Sequence, residues 1–279
     1  TPGNGFVRSR ETRLALDIRE LDVTAPDGAP LFRKLDLAVH AGEIVGILGS
    51  SGSGKTTLAR VLFEREVLED LGFRVRVEVL DQKERIGLVL QCGALFDHLD
   101  VSGNIELAQR RGGGDRAETP QAWLTKLDLE PELAARGTSV TQLSGGQAQR
   151  VAVVRSLAAG QKLIFFDEPG AGLAPHRIRV LGQVIRRQCD RDGTAGVVIT
   201  HDIDFSVGVC DRILFLDTDT GQLVDLLNGT FPGPFDRRGN CGEDGDRGMW
   251  VERVRSAAVS RIAKVVSIKP SRAYSTRSG

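Results

Sequence analysis

Apolar and polar residues alternate over Leu14–Ile18 and over Leu35–Val39, the two-residue period of half-buried strands. Ala25-Pro26-Asp27-Gly28 lies between them and reads as a turn. Phe73–Val79 alternates again, as one face of a sheet would. Other short runs do not alternate: Glu43–Leu48, Ile86–Leu90, Leu163–Phe166, Gly196–Ile199 and Ile213–Leu216 are almost wholly apolar after their first residue. Such runs fit strands covered on both faces. Helical spacing appears in Leu58–Phe63, Ile105–Gln109, Gln121–Leu127, Gln149–Ala159 and Ile178–Arg187. Strands alternating with helices predict an α/β fold, a parallel sheet with helices on both faces. The stretch from Leu95 to Leu143 breaks the alternation and reads as a small helical insertion. Residues 1–12 are polar. Residues 228–248, rich in Gly, Asp and Arg, read as a flexible linker before one more helix over Trp250–Ile268.

Composition adds bounds. A length of 279 residues accommodates one large domain or two small ones. Net charge is zero, so no global field calls for nucleic acid. The balance is uneven, with eight Lys/Arg against one acid from Arg247 onward. That tail admits three readings: a solvated segment, an amphipathic helix (Val251, Val254, Ala258, Ile262 and Val265) packing on a dimer, or a contact with anionic lipid. The cysteines Cys92, Cys189, Cys210 and Cys241 lack C-x-x-C spacing, which points away from structural zinc and toward a reducing compartment. Nothing reads as a membrane span or a secretory leader, so the expectation is a cytosolic chain.

Gly49-Ser50-Ser51-Gly52-Ser53-Gly54-Lys55-Thr56-Thr57 fits G-x-x-x-x-G-K-[ST], with an apolar strand before it and a helix after it. Glycines let the backbone N–H groups turn inward toward phosphate oxygens, and the helix N-terminus adds partial positive charge. Lys55 is then placed for the β- and γ-phosphates and Thr56 for Mg²⁺. The run Leu163–Phe166 ends in Asp167-Glu168, the Walker B arrangement, with Asp167 for the metal and Glu168 for the attacking water. Alone, an apolar run ending in two acids is as often a strand-end surface pair. Leu143-Ser144-Gly145-Gly146-Gln147 opens a further helix, with Ser144 as its cap and exposed glycine N–H groups as a second anion-binding terminus.

With that stretch the chain resembles ABC-type ATPases, whose signature is L-S-G-G-Q, over roughly residues 14–226. The resemblance implies a P-loop NTPase (RecA-like) parallel sheet core, an N-terminal antiparallel β subdomain and an inserted helical subdomain. Its boundaries fall at 1–91 for the first part of the core, 92–142 for the helical part, 143–227 for the second part of the core, and 228–279 for linker and tail. ATP and Mg²⁺ are the implied cofactors. Gln91 matches the glutamine that senses Mg²⁺ and the permease, and His201 in Val198-Ile199-Thr200-His201-Asp202 matches the histidine that contacts the γ-phosphate. Ser144, Gly145, Gly146 and Gln147 of one copy would close on the nucleotide of another in a head-to-tail homodimer or heterodimer. The implied function is the ATP-hydrolysing subunit of a transporter, held on the inner face of the membrane through a separate permease. Iron–sulfur assembly ATPases are the alternative. Gln91–Asp97, Val101, Asn104-Ile105 and Glu168–Pro175 are also similar to Mla-type lipid-trafficking ATPases.

Three departures stand out. Ala25 occupies the position where the family carries an aromatic residue that stacks on adenine, so base binding should be weak and undiscriminating unless Phe6 or Phe32 substitutes. Residues 64–85 lack the usual Gly-rich hairpin. Ala174 stands where the family has an aspartate at the dimer seam.

Overall fold

The computed structural model describes residues 13–50, 52–82, 86–90, 94–112, 118–135, 137–227 and 244–268. In chain order the elements are β1 (Leu14–Thr24), β2 (Pro30–His40), β3 (Ile44–Leu48), α1 (Lys55–Phe63), α2 (Arg65–Asp70), β4 (Arg74–Arg76), β5 (Val79–Gln82), β6 (Ile86–Val89), α3 (Val101–Gly112), α4 (Pro120–Lys126), α5 (Glu132–Ala135), α6 (Gly145–Ala158), β7 (Leu163–Asp167), α7 (Pro175–Asp192), β8 (Ala195–Ile199), α8 (Ile203–Val209), β9 (Arg212–Asp217), β10 (Gln222–Asp225) and α9 (Asp244–Ile268).

Two sheets form. The larger has the order β10-β9-β3-β8-β7-β6, parallel except for the antiparallel edge β10. Its inner strands are mostly apolar because successive residues enter different cores. Ile44, Ile164, Val198 and Ile213 join α6, α7 and α8 on one face. Val45, Phe165, Val197 and Leu214 join α1 and the antiparallel sheet on the other. The smaller sheet is antiparallel, with β1 pairing β2 on one side and both β4 and β5 on the other.

The run Phe73–Val79 is therefore not one strand. β1 kinks at Glu20 (φ 49°), where its register on β2 also shifts. Residues 16–19 then pair with β5 and residues 22–24 with β4, and the partner chain breaks opposite the kink. Helices run longer than their periodic cores suggest. α3 continues through Arg110-Arg111-Gly112, and α7 adds a turn at each end. α2, α5, α8 and β10 are new relative to the sequence reading, all being too short to show a period. In the helical insertion Asn104 is fully buried, and its amide bonds the Phe96 N–H and C=O at 2.9 and 3.0 Å. That pins the loop that follows residue 93.

The linker expectation for 228–248 needs correction at its end: α9 starts at Asp244, while residues 228–243 lie outside the description. Over residues 251–258, α9 is not a solvated tail. Val251, Val254 and Ala258 are buried in the chain's own core beside Phe205 and Val207 of α8. Arg261 reaches Asp217 at 3.4 Å.

Candidate functional site

The phosphate loop leaves β3 at Gly49. A Cβ there would lie 2.9 Å from Ser53 Oγ, so any larger residue would displace that hydroxyl. Gly54 (φ 97°) is the N-cap of α1 and no side chain caps that helix, so its first N–H groups stay available to an anion. Gly54 also rests on the ring of Phe32, 3.3 Å from where its Cβ would be. Ser51 lies outside the described residues.

Lys55 folds back on the loop. Its Nζ donates to Gly49 O (2.9 Å) and Ser50 O (2.8 Å), and its side chain is buried. Burial lowers its pKa below the usual 10.5, against the raising pull of Glu168 and Asp167. Thr56 Oγ1 donates to Asp167 Oδ2 at 2.9 Å, which joins the loop to the end of β7. Burial raises the Asp167 carboxyl above 3.8, and the Glu168 charge adds to this, while the Thr56 hydroxyl and Lys55 oppose it.

Glu168 follows with a left-handed backbone (φ 47°), an uncommon conformation for a residue with a Cβ. Its N–H donates to Ile199 O at 2.8 Å, tying the end of β7 to the end of β8. The carboxylate accepts from Thr200 Oγ1 (3.0 Å) and meets His201 Nδ1 at 2.8 Å. A carboxylate accepts, so Nδ1 carries the hydrogen of this contact, on a ring whose side chain is 78% exposed. Thr200 is a residue the sequence reading passed over; its place between Ile199 and His201 was visible, but its contact with Glu168 was not.

A cavity of about 330 Å³ adjoins the loop, lined by residues 52–57 together with Ala25, Leu31 and Phe73. Thr57 belongs to that lining, whereas residues 144–147 do not. They sit at the start of α6. Ser144 Oγ accepts the Gln147 N–H (3.3 Å) and Gln147 Oε1 accepts the Ser144 N–H (2.9 Å), a reciprocal capping box. Space for a Cβ is open at Gly145, while at Gly146 it would meet Leu173 at 3.0 Å. Gln91, the residue after Leu90, is outside the described residues. Phe32 cannot stack on a base: it is 1% exposed, in the core. Phe6 is outside the description.

Comparison with known proteins agrees with this geometry. A family model described as ABC transporter matches residues 32–171. The glutamine transport ATP-binding protein GlnQ of Geobacillus stearothermophilus is 35% identical over 201 residues, covering 67% of this chain and 81% of that protein. The molybdenum import ATP-binding protein ModC of Mycobacterium tuberculosis is 38% identical over 218 residues, 70% of this chain but only 58% of ModC. Among solved structures, a dimeric ATP-binding cassette in a post-hydrolysis state bound to ADP and Pi aligns with a TM-score of 0.59 at 27% identity, over 75% of this chain and 96% of that one.

Proposed function

We propose, from the premise that this chain belongs to the ABC transporter family, that it hydrolyses ATP in a head-to-tail dimer and thereby drives a separate membrane permease. The observation that carries the reading is the Thr56–Asp167 contact beside a Glu168 held by Thr200 and His201. It supports one continuous site from phosphate loop to water-activating carboxylate.

In this reading the N–H groups at the start of α1 and the Lys55 ammonium bind the β- and γ-phosphates. Lys55 exchanges its two loop carbonyls for phosphate oxygens, which are better partners for a buried cation. Two hard oxygen donors 2.9 Å apart, Thr56 Oγ1 and Asp167 Oδ2, fit Mg²⁺, with Gln91 as a further ligand. The metal, when bound, neutralises charge on the β- and γ-phosphate oxygens. Glu168 orients the attacking water and takes its proton. His201 fixes that carboxylate through Nδ1–H and lies on the γ-phosphate side, where Nε2 meets a phosphate oxygen only as an N–H donor.

Residues 144–147 are absent from the cavity lining, which supports their acting on the nucleotide of a second copy. Because Ser144 and Gln147 satisfy each other, the start of α6 is a rigid surface, with Gly145 open for close approach. The permease is a separate chain in this proposal; among the described residues no helix is long and apolar enough to cross a membrane. Phe96, 44% exposed on the loop that Asn104 pins, supports a docking face beside Gln91 and the helical insertion. Names of relatives, a glutamine and a molybdenum transport subunit, support solute import over iron–sulfur assembly or lipid trafficking.

Glu168→Gln tests the reading. The variant is expected to bind ATP as the wild type does, to stop turning over, and to elute from gel filtration as a dimer only with ATP. Wild-type hydrolysis by this variant would remove Glu168 from its assigned role.

A further inference from the structure

We propose that Phe73 supplies the aromatic face for the nucleobase, one strand away from the Ala25 position that lacks a ring. The inference rests on the nucleotide-binding reading above and names the group that grips the base. The cavity holding the phosphate loop has one aromatic residue in its lining, Phe73. A nucleotide with its phosphates on residues 52–57 must lay its base against the remaining wall, which is Ala25, Leu31 and Phe73.

Sheet register explains how Phe73 arrives there. β1 and β4 pair Asp22 with Arg76, Val23 with Val75 and Thr24 with Arg74. The ladder ends there; Ala25 and Phe73 are the next residues of the two chains, with their N–H groups bonded to Ala29 O and Leu68 O. Val23 and Val75, two residues further in, share one face of the sheet. That face is the core side, where Val23 is 0% and Val75 7% exposed. At the sheet end the core gives way to the cavity, so Ala25 and Phe73 line it together. A ring lost at residue 25 is thus offered from the neighbouring strand end, in the lining of the same cavity.

The Phe73 position is held. Its N–H donates to Leu68 O at 3.0 Å. Gly72 takes φ 88°, and a Cβ there would lie 3.4 Å from Pro26 Cβ, so the turn after α2 packs on the turn after β1. Phe73 itself is only half-buried, packed along one edge of the antiparallel core. Neighbouring rings are committed elsewhere: Phe32 lies in the core under Gly54, and Phe63 packs edge-on against Phe165 at 6.0 Å.

The chemistry of this wall sets the preference. The side chains of Ala25, Leu31 and Phe73 bear no hydrogen-bond donor or acceptor, so the base is gripped by its face and not read by its edge. Purine triphosphates, with the larger face, are the favoured class, and ATP and GTP are expected to bind within a few-fold of each other.

The experiment measures binding of MgATP, MgGTP and inorganic tripolyphosphate to the full chain and to Phe73→Ala, Phe73→Leu and Phe73→Trp. Phe73→Ala is expected to weaken ATP and GTP by the same factor, about 5- to 100-fold, and to leave tripolyphosphate unchanged. Phe73→Leu keeps the bulk that packs on the sheet edge and is expected to lose nearly as much. Phe73→Trp is expected to restore affinity, with its fluorescence quenched by the nucleotide. Wild-type ATP affinity in Phe73→Ala and Phe73→Leu would overturn the inference alone, as would an equal loss of ATP and tripolyphosphate in Phe73→Leu. A wild-type chain that binds no ATP would overturn the nucleotide reading and this inference with it.

Discussion

Lys55 carries its charge where burial disfavours it. Its folded pKa lies below the 10.5 of an exposed lysine, so the charged form is held at a cost. The sign follows from linkage: the unfolded chain binds more protons between the lowered pKa and 10.5, and Lys55 makes unliganded stability rise with pH across that window. Below it the charge weakens the folded state and is kept for what it binds. Lys55→Met removes the buried charge and three hydrogen bonds, to Gly49 O, Ser50 O and Ser53 Oγ, each worth about 0.5–1.5 kcal/mol, so the two effects oppose. We expect the unliganded melting temperature to move by less than about 5 °C and the rise of stability with alkaline pH to disappear. ATP at a hundred times its dissociation constant adds about 2.7 kcal/mol to a binding-competent chain, a shift of roughly 5–10 °C. Thermal melts with and without MgATP check this, and a Lys55→Met chain that keeps the shift would mean the ammonium does not hold phosphate.

At the scale of elements, α6 and α7 begin in opposite ways. Ser144 and Gln147 close a capping box on α6. α7 starts at Pro175 behind Ala174, which has cap dihedrals (φ −67°, ψ 150°) and no side-chain acceptor. The orphan N–H groups of α7 thus lack the partner that α6 has. Ala174→Asp should add a cap worth about 1 kcal/mol, raising the melting temperature by roughly 2–4 °C. If residue 174 also meets the opposite copy, as the family resemblance implies, the same variant raises the ATPase rate several-fold and steepens its dependence on ATP. Melting curves and steady-state rates separate the two effects. An unchanged melting point rejects the cap, and an unchanged Hill slope with equal or lower rate rejects the seam.

On the scale of the whole molecule, Arg186 ties the second half of the chain to the first. It is 5% exposed on α7, and its guanidinium reaches Asp190 on the same helix, Asp211 before β9 at 2.6 Å, and Gly42 O before β3 at 3.4 Å. Asp211 in turn accepts the Ile44 N–H at 2.8 Å. Burial works against the guanidinium charge, but Asp190 and Asp211 more than offset it and raise its pKa. Arg186→Leu takes the guanidinium from the mostly buried Asp211, while Asp190 stays exposed to water, and should cost about 1–3 kcal/mol. Urea unfolding measures it, and a loss below about 1 kcal/mol would mean water already screens the network. ATP affinity of the folded fraction should not change, because Arg186 touches neither the phosphate loop nor Glu168.

The sequence by itself determined the parts of this protein that rest on local chemistry. A strand, a glycine loop and a helix N-terminus in succession follow from local residue chemistry, so residues 49–57 could be offered as a phosphate site without coordinates. So were Asp167-Glu168 after an apolar strand, the helix that Ser144 opens, and the parallel sheet implied by short unbroken apolar runs. Tertiary structure alone decided what depends on register and packing across distance. A kink at Glu20 split one alternating run into β4 and β5. Phe32, which the sequence offered as a base platform, was buried, while Phe73 came to line the same cavity as Ala25. Thr200 and His201 closed on Glu168 because β7 and β8 end side by side. α9 became part of the core because α8 left an apolar face for Val251, Val254 and Ala258 to cover. Hydrophobic period reports which face of an element is covered; it carries no information about which distant element covers it.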